Sequence, residues 1–294
     1  MVEKGKGFQI AANVVMILIS ICCIAPFILL VMSSFTEEKS LIANGYSFFP
    51  KAFSTYAYEY LLTDSGTMLN AYGISGIVTV IGTFCNLVLT TLYAYPLSRR
   101  DLPGRNFFAF FLFFTMLFSG GLVPSYIMWT RTFHIQNTLL ALIVPNLLMG
   151  AFNVIMMRTY FNANVPDAVI EAARIDGASE FRILYNIVLP MAMPILATVG
   201  LLVGLGYWND WTNGLYYIND DKLYSVQVLL MNIQRNLDAL KQNAASGGNV
   251  SIGQLPSTAV RMAITVLGVL PIMVVYPFVQ KYFVKGVAIG AVKG

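Results

Sequence analysis

Residues 166–194 read PDAVIEAARIDGASEFRILYNIVLPMAMP and carry six charged side chains between two long apolar stretches. Only 11% of the whole chain is charged, against about a quarter of a typical soluble domain. Because the rest of the chain carries so little charge, we expect this charged segment to face water. The six charged residues are Asp167, Glu171, Arg174, Asp176, Glu180 and Arg182.

Outside this segment the chain is apolar enough to cross a membrane several times. Of its 294 residues 57% are apolar, and its mean hydropathy is +0.69. A helix needs about 20 apolar residues to cross the hydrocarbon core. The sequence therefore predicts an all-α membrane protein, a single transmembrane domain over residues 1–294. We expect the first window to be a retained span, because its apolar stretch is too long for a cleaved signal peptide. Six long, largely apolar windows predict spans at about 10–33, 68–97, 106–129, 138–160, 191–212 and 260–282.

The positive charges orient these spans. If the N-terminus is cytoplasmic, eleven of the 18 Lys and Arg residues lie inside. The short loop SRRDLPGR, residues 98–105, is the strongest indication, and Pro103 and Gly104 predict a turn there. We expect a multi-pass protein of the bacterial cytoplasmic membrane with both termini inside. This asymmetry explains the net charge of +4 without a nucleic-acid partner.

Local signals predict two short helices within the charged segment. Pro166 suits the first turn of a helix, and Asp167 and Glu171 complement the positive end of its dipole. Gly177 suits the left-handed position that ends a helix, and Ser179 can cap the next one. We expect a helix of about ten residues, a turn, and a second short helix that leads into the fifth span.

One face of the first helix is made of small residues. Ala168, Glu171, Ala172 and Ile175 fall at spacings that bring them to one side. Such a face favours docking into a protein groove, because alanines permit close approach and the charges fix the register. The alternative is a helix lying on the membrane surface, which would favour large apolar residues with Lys or Arg opposite.

The stretch EAARIDGASEFRILYNIVLP, residues 171–190, resembles the EAA loop of the membrane subunits of ABC importers. Every fixed place of that pattern is matched, by Glu171, Ala172, Ala173, Gly177, Ile187, Leu189 and Pro190. The resemblance implies the type I importer permease fold and a coupling helix, residues 166–178, within a cytoplasmic loop over 161–190. It assigns ATPase coupling to these seven residues together with Pro166, Asp167 and Asp176.

Further stretches resemble the carbohydrate-uptake class of these permeases, and a maltose-permease-like subgroup that imports complex oligosaccharides. They are FSGGLVPSYIMW (118–129), IMMRTYF (155–161) and YWNDWTNGLYYIND (207–220). The implied partners are a second similar permease, two copies of a cytoplasmic ATPase, an extracellular solute-binding protein and the oligosaccharide. The chain has no P-loop of the form G-x-x-x-x-G-K-[ST], so we expect ATP and Mg²⁺ on the ATPase alone. No catalytic, cofactor or metal role is expected for this chain.

A sugar path needs polar and aromatic groups, because sugars present hydroxyls and C–H faces. Each candidate also has a structural interpretation, since aromatic residues anchor helices at membrane interfaces and asparagines bond between helices. The substrate-path candidates are Ser119, Tyr126, Asn146, Asn153, Tyr207, Trp208, Asn209, Asp210 and Trp211.

Two outer loops are long enough to contact other proteins. The first, residues 34–67, is aromatic and suits either an interfacial belt or an external protein contact. The second, residues 213–259, begins with a stretch whose apolar residues repeat at helical spacing. Its second half is small and polar, and suits either a linker or a finger that enters a partner's cleft.

Two other classes of membrane protein fit the sequence less well. A stand-alone, ion-coupled carrier usually places ionisable residues deep in its spans, and these span interiors are nearly uncharged. A membrane scaffold or enzyme has no support from HExxH, GxSxG or a metal-binding cluster.

Overall fold

The computed structural model describes residues 6–63, 65–245 and 257–291. Within them the regular secondary structure is helical, apart from an isolated antiparallel bridge between Thr36 and Phe53, and irregular segments join the helices. The second half of the long outer loop falls largely on residues 246–256, outside the described residues. The helices are α1 (Lys6–Ser34), α2 (Glu38–Asn44), α3 (Tyr56–Leu61), α4 (Ser65–Ser98), α5 (Arg105–Leu117), α6 (Leu122–Ile127), α7 (Leu139–Ile143), α8 (Ala151–Asn164), α9 (Asp167–Ile175), α10 (Glu180–Ile183), α11 (Leu189–Met191), α12 (Met193–Trp208), α13 (Thr212–Tyr217), α14 (Val226–Ala245) and α15 (Ser257–Ala291).

Three of the described helices are long and apolar enough to cross a membrane: Gly7–Ser34, Ser65–Ser98 and Thr258–Pro277. Two bent helix pairs also qualify if each pair forms one span, which gives up to five by length and composition. The predicted number of six stays a prediction. The bent pairs are Arg105–Leu117 with Leu122–Thr132, at 110°, and Glu180–Met191 with Met193–Trp208, at 82°.

The structure interrupts the predicted third and fourth spans. Gly121, with φ +81°, separates α5 from α6, and Asn146, with φ +62°, lies between α7 and α8. A broken helix leaves backbone carbonyls without helical partners, and side chains from other helices must then bind them. Side-chain donors bind the carbonyls of the second break: Tyr207 Oη to Ile143 (2.9 Å), Asn213 Nδ2 to Pro145 (2.9 Å) and Asn86 Nδ2 to Leu147 (2.7 Å).

The beginning of the fifth span bends where the sequence places its prolines. Pro190 lies in α11, Pro194 lies in the first turn of α12, and Ala192 separates the two helices. The motif GLLVG then permits close packing of α12 against α4. A Cβ atom at Gly200 or Gly204 would lie 3.4 Å from the side chain of Leu87 or Thr83, respectively.

Two compact units are distinguished within the chain. One comprises Leu69–Leu229 with Ile272–Gly294, and the other comprises Met1–Met68 with Leu230–Pro271. The first unit has a continuous apolar core in which α8, α9, α10 and α12 are anchored. Its fully enclosed side chains include Val154, Met157, Phe161, Ile183, Val188 and Val199.

The second unit is held by polar contacts as well as apolar ones. The Glu38 carboxylate on α2 accepts hydrogen bonds from the backbone N–H groups of Thr258 (2.9 Å) and Ala259 (2.8 Å). It therefore neutralises the positive end of the α15 dipole. Arg261 on α15 also pairs with Asp238 on α14. The helical spacing of apolar residues in the first half of the long loop predicts an amphipathic helix. The structure confirms it as α14, with Leu237 buried.

Candidate functional site

The charged segment folds as its capping residues predict. Helix α9 spans nine residues, Asp167–Ile175, and Pro166 precedes it as the N-cap rather than lying within its first turn. Gly177 has φ +78°, the left-handed conformation that glycine adopts without strain. The Ser179 Oγ atom then accepts the backbone N–H of Arg182 at 3.4 Å and caps α10.

The predicted docking face of α9 is exposed. Ala168, Glu171, Ala172 and Ile175 all face away from the protein, and 85% of the Ile175 side chain is accessible. On the opposite side Ile170 is buried in the core and anchors the helix. A large apolar side chain exposed this fully, beside alanines, is the arrangement that a protein groove would cover.

The other predicted coupling residues divide into two groups. Asp176 and Pro190 are exposed, whereas Ile187 and Leu189 are half-buried against the core. The second group therefore holds the loop in place and does not present a surface. Between Asp176 and Ile187 the segment exposes two further aromatic residues, Phe181 and Tyr185, which the sequence analysis did not single out.

Four side chains tie α9 and α10 to the end of α4; we call them the Arg174 clamp. Arg174 binds Asp101 Oδ2 at 2.7 Å and Glu180 Oε1 at 2.6 Å. The Tyr95 hydroxyl donates to the second oxygen, Glu180 Oε2, at 2.6 Å. Charge-assisted hydrogen bonds with planar, two-sided geometry are among the strongest polar contacts in proteins. The clamp therefore connects α9 to α4 within one chain.

The clamp also shifts the titration of its acids. The hydrogen bond from Arg174 is the main cause that lowers the pKa of the Asp101 carboxyl. For Glu180 the hydrogen bond from Tyr95 is the largest cause of a lowered pKa, and Arg174 adds to it against the effect of burial. Both carboxyls therefore stay ionised, and the clamp stays closed, throughout the neutral range.

Sequence reasoning missed this clamp. Arg174 and Glu180 were visible as opposite charges in the charged segment, six positions apart across the turn at Gly177. That pairing was a readable signal. Asp101 and Tyr95 lie 73 and 85 positions from their partners, so no local pattern could have joined them.

The structure gives several substrate-path candidates local structural partners. Tyr207 is buried and donates its hydroxyl to Ile143, and a Cβ atom at Gly82 would lie 2.4 Å from its ring. Asp210 Oδ1 accepts the backbone N–H groups of Thr212 at 3.0 Å and Asn213 at 3.3 Å, so this acid caps α13. Both contacts satisfy backbone groups that a helix end leaves unpaired.

The remaining candidates are more accessible. Tyr126 is partly exposed and stacks on the buried Tyr217, with ring centroids 5.9 Å apart. Trp208 lies near Tyr72, with ring centroids 6.3 Å apart. No group of three His, Cys, Asp or Glu residues placed to hold a metal ion occurs in the described part of the chain. Ser119, Asn146, Asn209 and Trp211 are exposed, and Asn153 is half-buried.

Comparisons with known proteins identify the fold to which these helices belong. Residues 104–289 match the family of binding-protein-dependent transport system inner membrane components. The chain belongs to this family. The matched range includes α5 to α14 and most of α15, and so includes α9 but not Tyr95 or Asp101 of the clamp.

Full-length relatives of this permease are known. One is the polygalacturonan/rhamnogalacturonan transport system permease protein YtcP of Bacillus subtilis (strain 168), 34% identical over 99% of this chain and 100% of the relative. Protein LplC of the same organism is 35% identical over 99% and 97%. In a solved bacterial ABC transporter involved in the import of the acidic polysaccharide alginate, one chain superposes with a TM-score of 0.77. That chain is 28% identical, and the match covers 96% of this permease and 99% of that chain.

These comparisons confirm the resemblance to ABC importer permeases and the all-α importer fold. They support a subunit of an ABC importer, and they do not support a stand-alone carrier. The family and the apolar helices place this chain in a membrane, which it crosses more than once.

Proposed function

We propose that this permease imports oligosaccharides derived from a polysaccharide. It would act with a second permease, two copies of a cytoplasmic ATPase that hold ATP and Mg²⁺, and an external solute-binding protein. The observation that carries the coupling role is the exposed face of α9. This face consists mainly of small residues with charges at its edges, and the opposite side of the helix is buried through Ile170. Two of the reported comparisons are named for polymers that contain acidic sugars, which makes uronate-containing fragments the first class to test.

The coupling path in this proposal runs through contacts within one compact unit. The ATPase groove holds the exposed face of α9, and closure of the ATPases moves that helix. Arg174 transmits the movement to Asp101 and, through Glu180, to Tyr95 on α4. Because the core is close-packed, local side-chain shifts cannot absorb such a displacement. The helices instead switch between two rigid arrangements.

The sugar path in this proposal uses the accessible candidates on α6 and around the end of α12. Tyr126, Trp208, Asn209 and Trp211 provide rings and amide groups, whereas Tyr207 and Asp210 support the helices. This division assigns the first group to substrate contact and the second to structure. It also predicts that the second group tolerates no polar-to-apolar exchange.

The test begins with gentle purification of the tagged permease from its own host, followed by mass spectrometry of the proteins retained. Recovery of a second permease and an ATPase supports the importer. Uptake of matched uronate-containing and neutral oligosaccharides of equal length is then compared in cells with and without the permease. Recovery of this chain alone, with transport intact, would contradict the proposal.

A further inference from the structure

A small polar cavity of about 170 Å³ lies beside the docking helix, within the unit that holds residues 69–229. The ends of α4 and α8, the start of α5 and the start of α9 enclose it. The cavity is distinct in character from the apolar core above it, because most of its accessible lining is polar. The polar and charged residues that line it include Ser98, Arg99, Arg100, Arg105, Asn162 and Asp167.

Positive charge predominates in this cavity. Three arginines line it, against the single carboxylate of Asp167. Asp167 approaches Arg99 at 3.8 Å and Arg100 at 3.9 Å, close to the limit of an ion pair. By contrast, the acids of the nearby clamp lie at 2.6–2.7 Å from Arg174. The clamp arginine is therefore closely paired. Of the cavity arginines, Arg99 also lies 3.6 Å from Asp101, whereas in the described part of the chain Arg100 has no acid closer than 3.9 Å and Arg105 has none within 4 Å.

Hydrogen-bond donors are also in excess here. Arg105 donates its Nε to the Leu97 carbonyl at 2.9 Å, and no acceptor within the described residues meets its two terminal nitrogens. One turn before Asn162, Arg158 has an Nε atom that is shielded from solvent and has no hydrogen-bond partner in the same part of the chain. Because α5 packs on α8, the like charges of Arg105 and Arg158 repel each other. An anion that joined both groups would remove this repulsion.

The cavity lies where an apolar helix surface begins. The first turns of α5, directly after Arg105, expose Phe107, Phe108, Phe110 and Phe111 by 45–66%. Rings of this kind contact acyl chains, and the arginines at the start of the helix then lie at the depth of lipid headgroups. Basic pockets between helix ends on the cytoplasmic side are suited to anionic lipids.

We propose that this cavity binds the phosphodiester headgroup of an anionic phospholipid, such as phosphatidylglycerol, from the cytoplasmic leaflet. Arg100 and Arg105 hold the phosphate oxygens, Arg158 supplies charge from α8, and the exposed phenylalanines of α5 contact the acyl chains. The proposal rests on the proposed function in one respect: it takes the α9 side as cytoplasmic.

The test uses the purified full-length permease in its complex, reconstituted with mixed phosphatidylglycerol and phosphatidylcholine. Native mass spectrometry measures which lipids are retained. Arg100→Gln and Arg158→Gln should each weaken phosphatidylglycerol binding about fivefold, the effect of one basic residue at a membrane surface. Arg100 is the safer variant for folding, because 87% of its side chain is exposed. Arg131→Gln, an exposed arginine of the π-helical segment Met128–Thr132 that follows α6, is the matched control and should have no effect.

Two outcomes would overturn the proposal. The first is equal retention of phosphatidylglycerol by the wild type, both cavity variants and the Arg131 control. The second is full displacement by millimolar inorganic phosphate without preference for phosphatidylglycerol over phosphatidylcholine, which would identify a site for a free anion. Neither measurement needs a transported sugar or an ATPase signal. Failure of the lipid-site proposal is therefore distinguishable from failure of the importer assignment.

Discussion

The guanidinium of Arg174 on α9 lies 2.7 Å from Oδ2 of Asp101, in the turn that follows α4. The two residues are 73 positions apart in the chain. This contact, together with Glu180 and Tyr95, joins the helix that would meet a soluble motor to a helix long enough to cross the membrane.

Removal of the clamp should separate transport from ATP hydrolysis. We expect Arg174→Gln to lower uptake roughly fivefold or more, the range of ordinary coupling energies, while the ATPase still turns over. Stability should change by less than about 1 kcal/mol, because all three charged groups are partly exposed. The ratio of sugar transported to ATP hydrolysed, measured in proteoliposomes, is the deciding quantity. Arg182→Gln, an exposed arginine on α10, should leave the ratio unchanged.

The clamp should respond to pH only in the acid range. The ordinary pKa values of Asp101 and Glu180 are 3.8 and 4.5, and both are lowered in the folded chain. Their contribution to stability is therefore complete above those values and is lost as the pH falls through the lowered ones. The thermal midpoints of wild type and Arg174→Gln should differ at neutral pH and converge at low pH. A difference that stays constant down to about pH 3 would contradict the assignment.

Gly177 should tolerate asparagine far better than valine. Its φ of +78° is accessible to asparagine but is strongly disfavoured for a β-branched residue. Apart from its chain neighbours, no described residue has an atom within 4 Å of a Cβ placed there, so the cost comes from the backbone alone. We expect Gly177→Val to abolish uptake while the chain remains in the membrane, and Gly177→Asn to retain most of it. Equal uptake in the two variants would show that the left-handed turn does not matter.

Charge reversal on the exposed face of α9 should block docking without unfolding the helix. Glu171 points away from the core, so Glu171→Lys disturbs no contact with the residues that the structure describes. We expect normal insertion, loss of the ATPase during gentle purification, and loss of uptake. Glu171→Gln, which keeps the size of the side chain and removes its charge, should give an intermediate result. Retention of the ATPase by the lysine variant would argue against docking through this face.

Gly82 should not accept even a methyl group. A Cβ atom there would lie 2.4–2.7 Å from the ring of Tyr207, whose hydroxyl is held by the Ile143 carbonyl. Overpacking of this kind costs about 1–3 kcal/mol. Gly76→Ala on the same helix meets nothing within 4 Å and should be neutral or slightly stabilising. Thermal unfolding of the two variants in detergent compares them directly, and equal midpoints would contradict the close packing of α12 on α4.

Much of the charged segment was predictable because its signals are local. Pro166, Gly177 and Ser179 act on their own backbone or on the next three residues, so the helix, the turn and the second helix followed from the sequence. The face of α9 was equally readable, since helical spacing alone places Ala168, Glu171, Ala172 and Ile175 together.

The predicted third and fourth spans mark where local reasoning stopped. Apolar composition predicts that a stretch avoids water, and it does not say whether the helix inside is continuous. The break after α7 is possible because Tyr207, Asn213 and Asn86 bring donors to its free carbonyls from distant positions. The same contacts gave Tyr207 a structural partner, although its type alone made it a sugar-path candidate.

The sequence by itself determined the class of protein, the helix at α9 with its face of small residues, and the family to which the chain belongs, because composition, capping and motif spacing are properties of neighbouring residues. Only the tertiary structure decided that Arg174 pairs with Asp101, and that Asp167 joins Arg99 and Arg100 at one polar cavity. These charges meet across tens of residues, and their distances are set by how the helices pack.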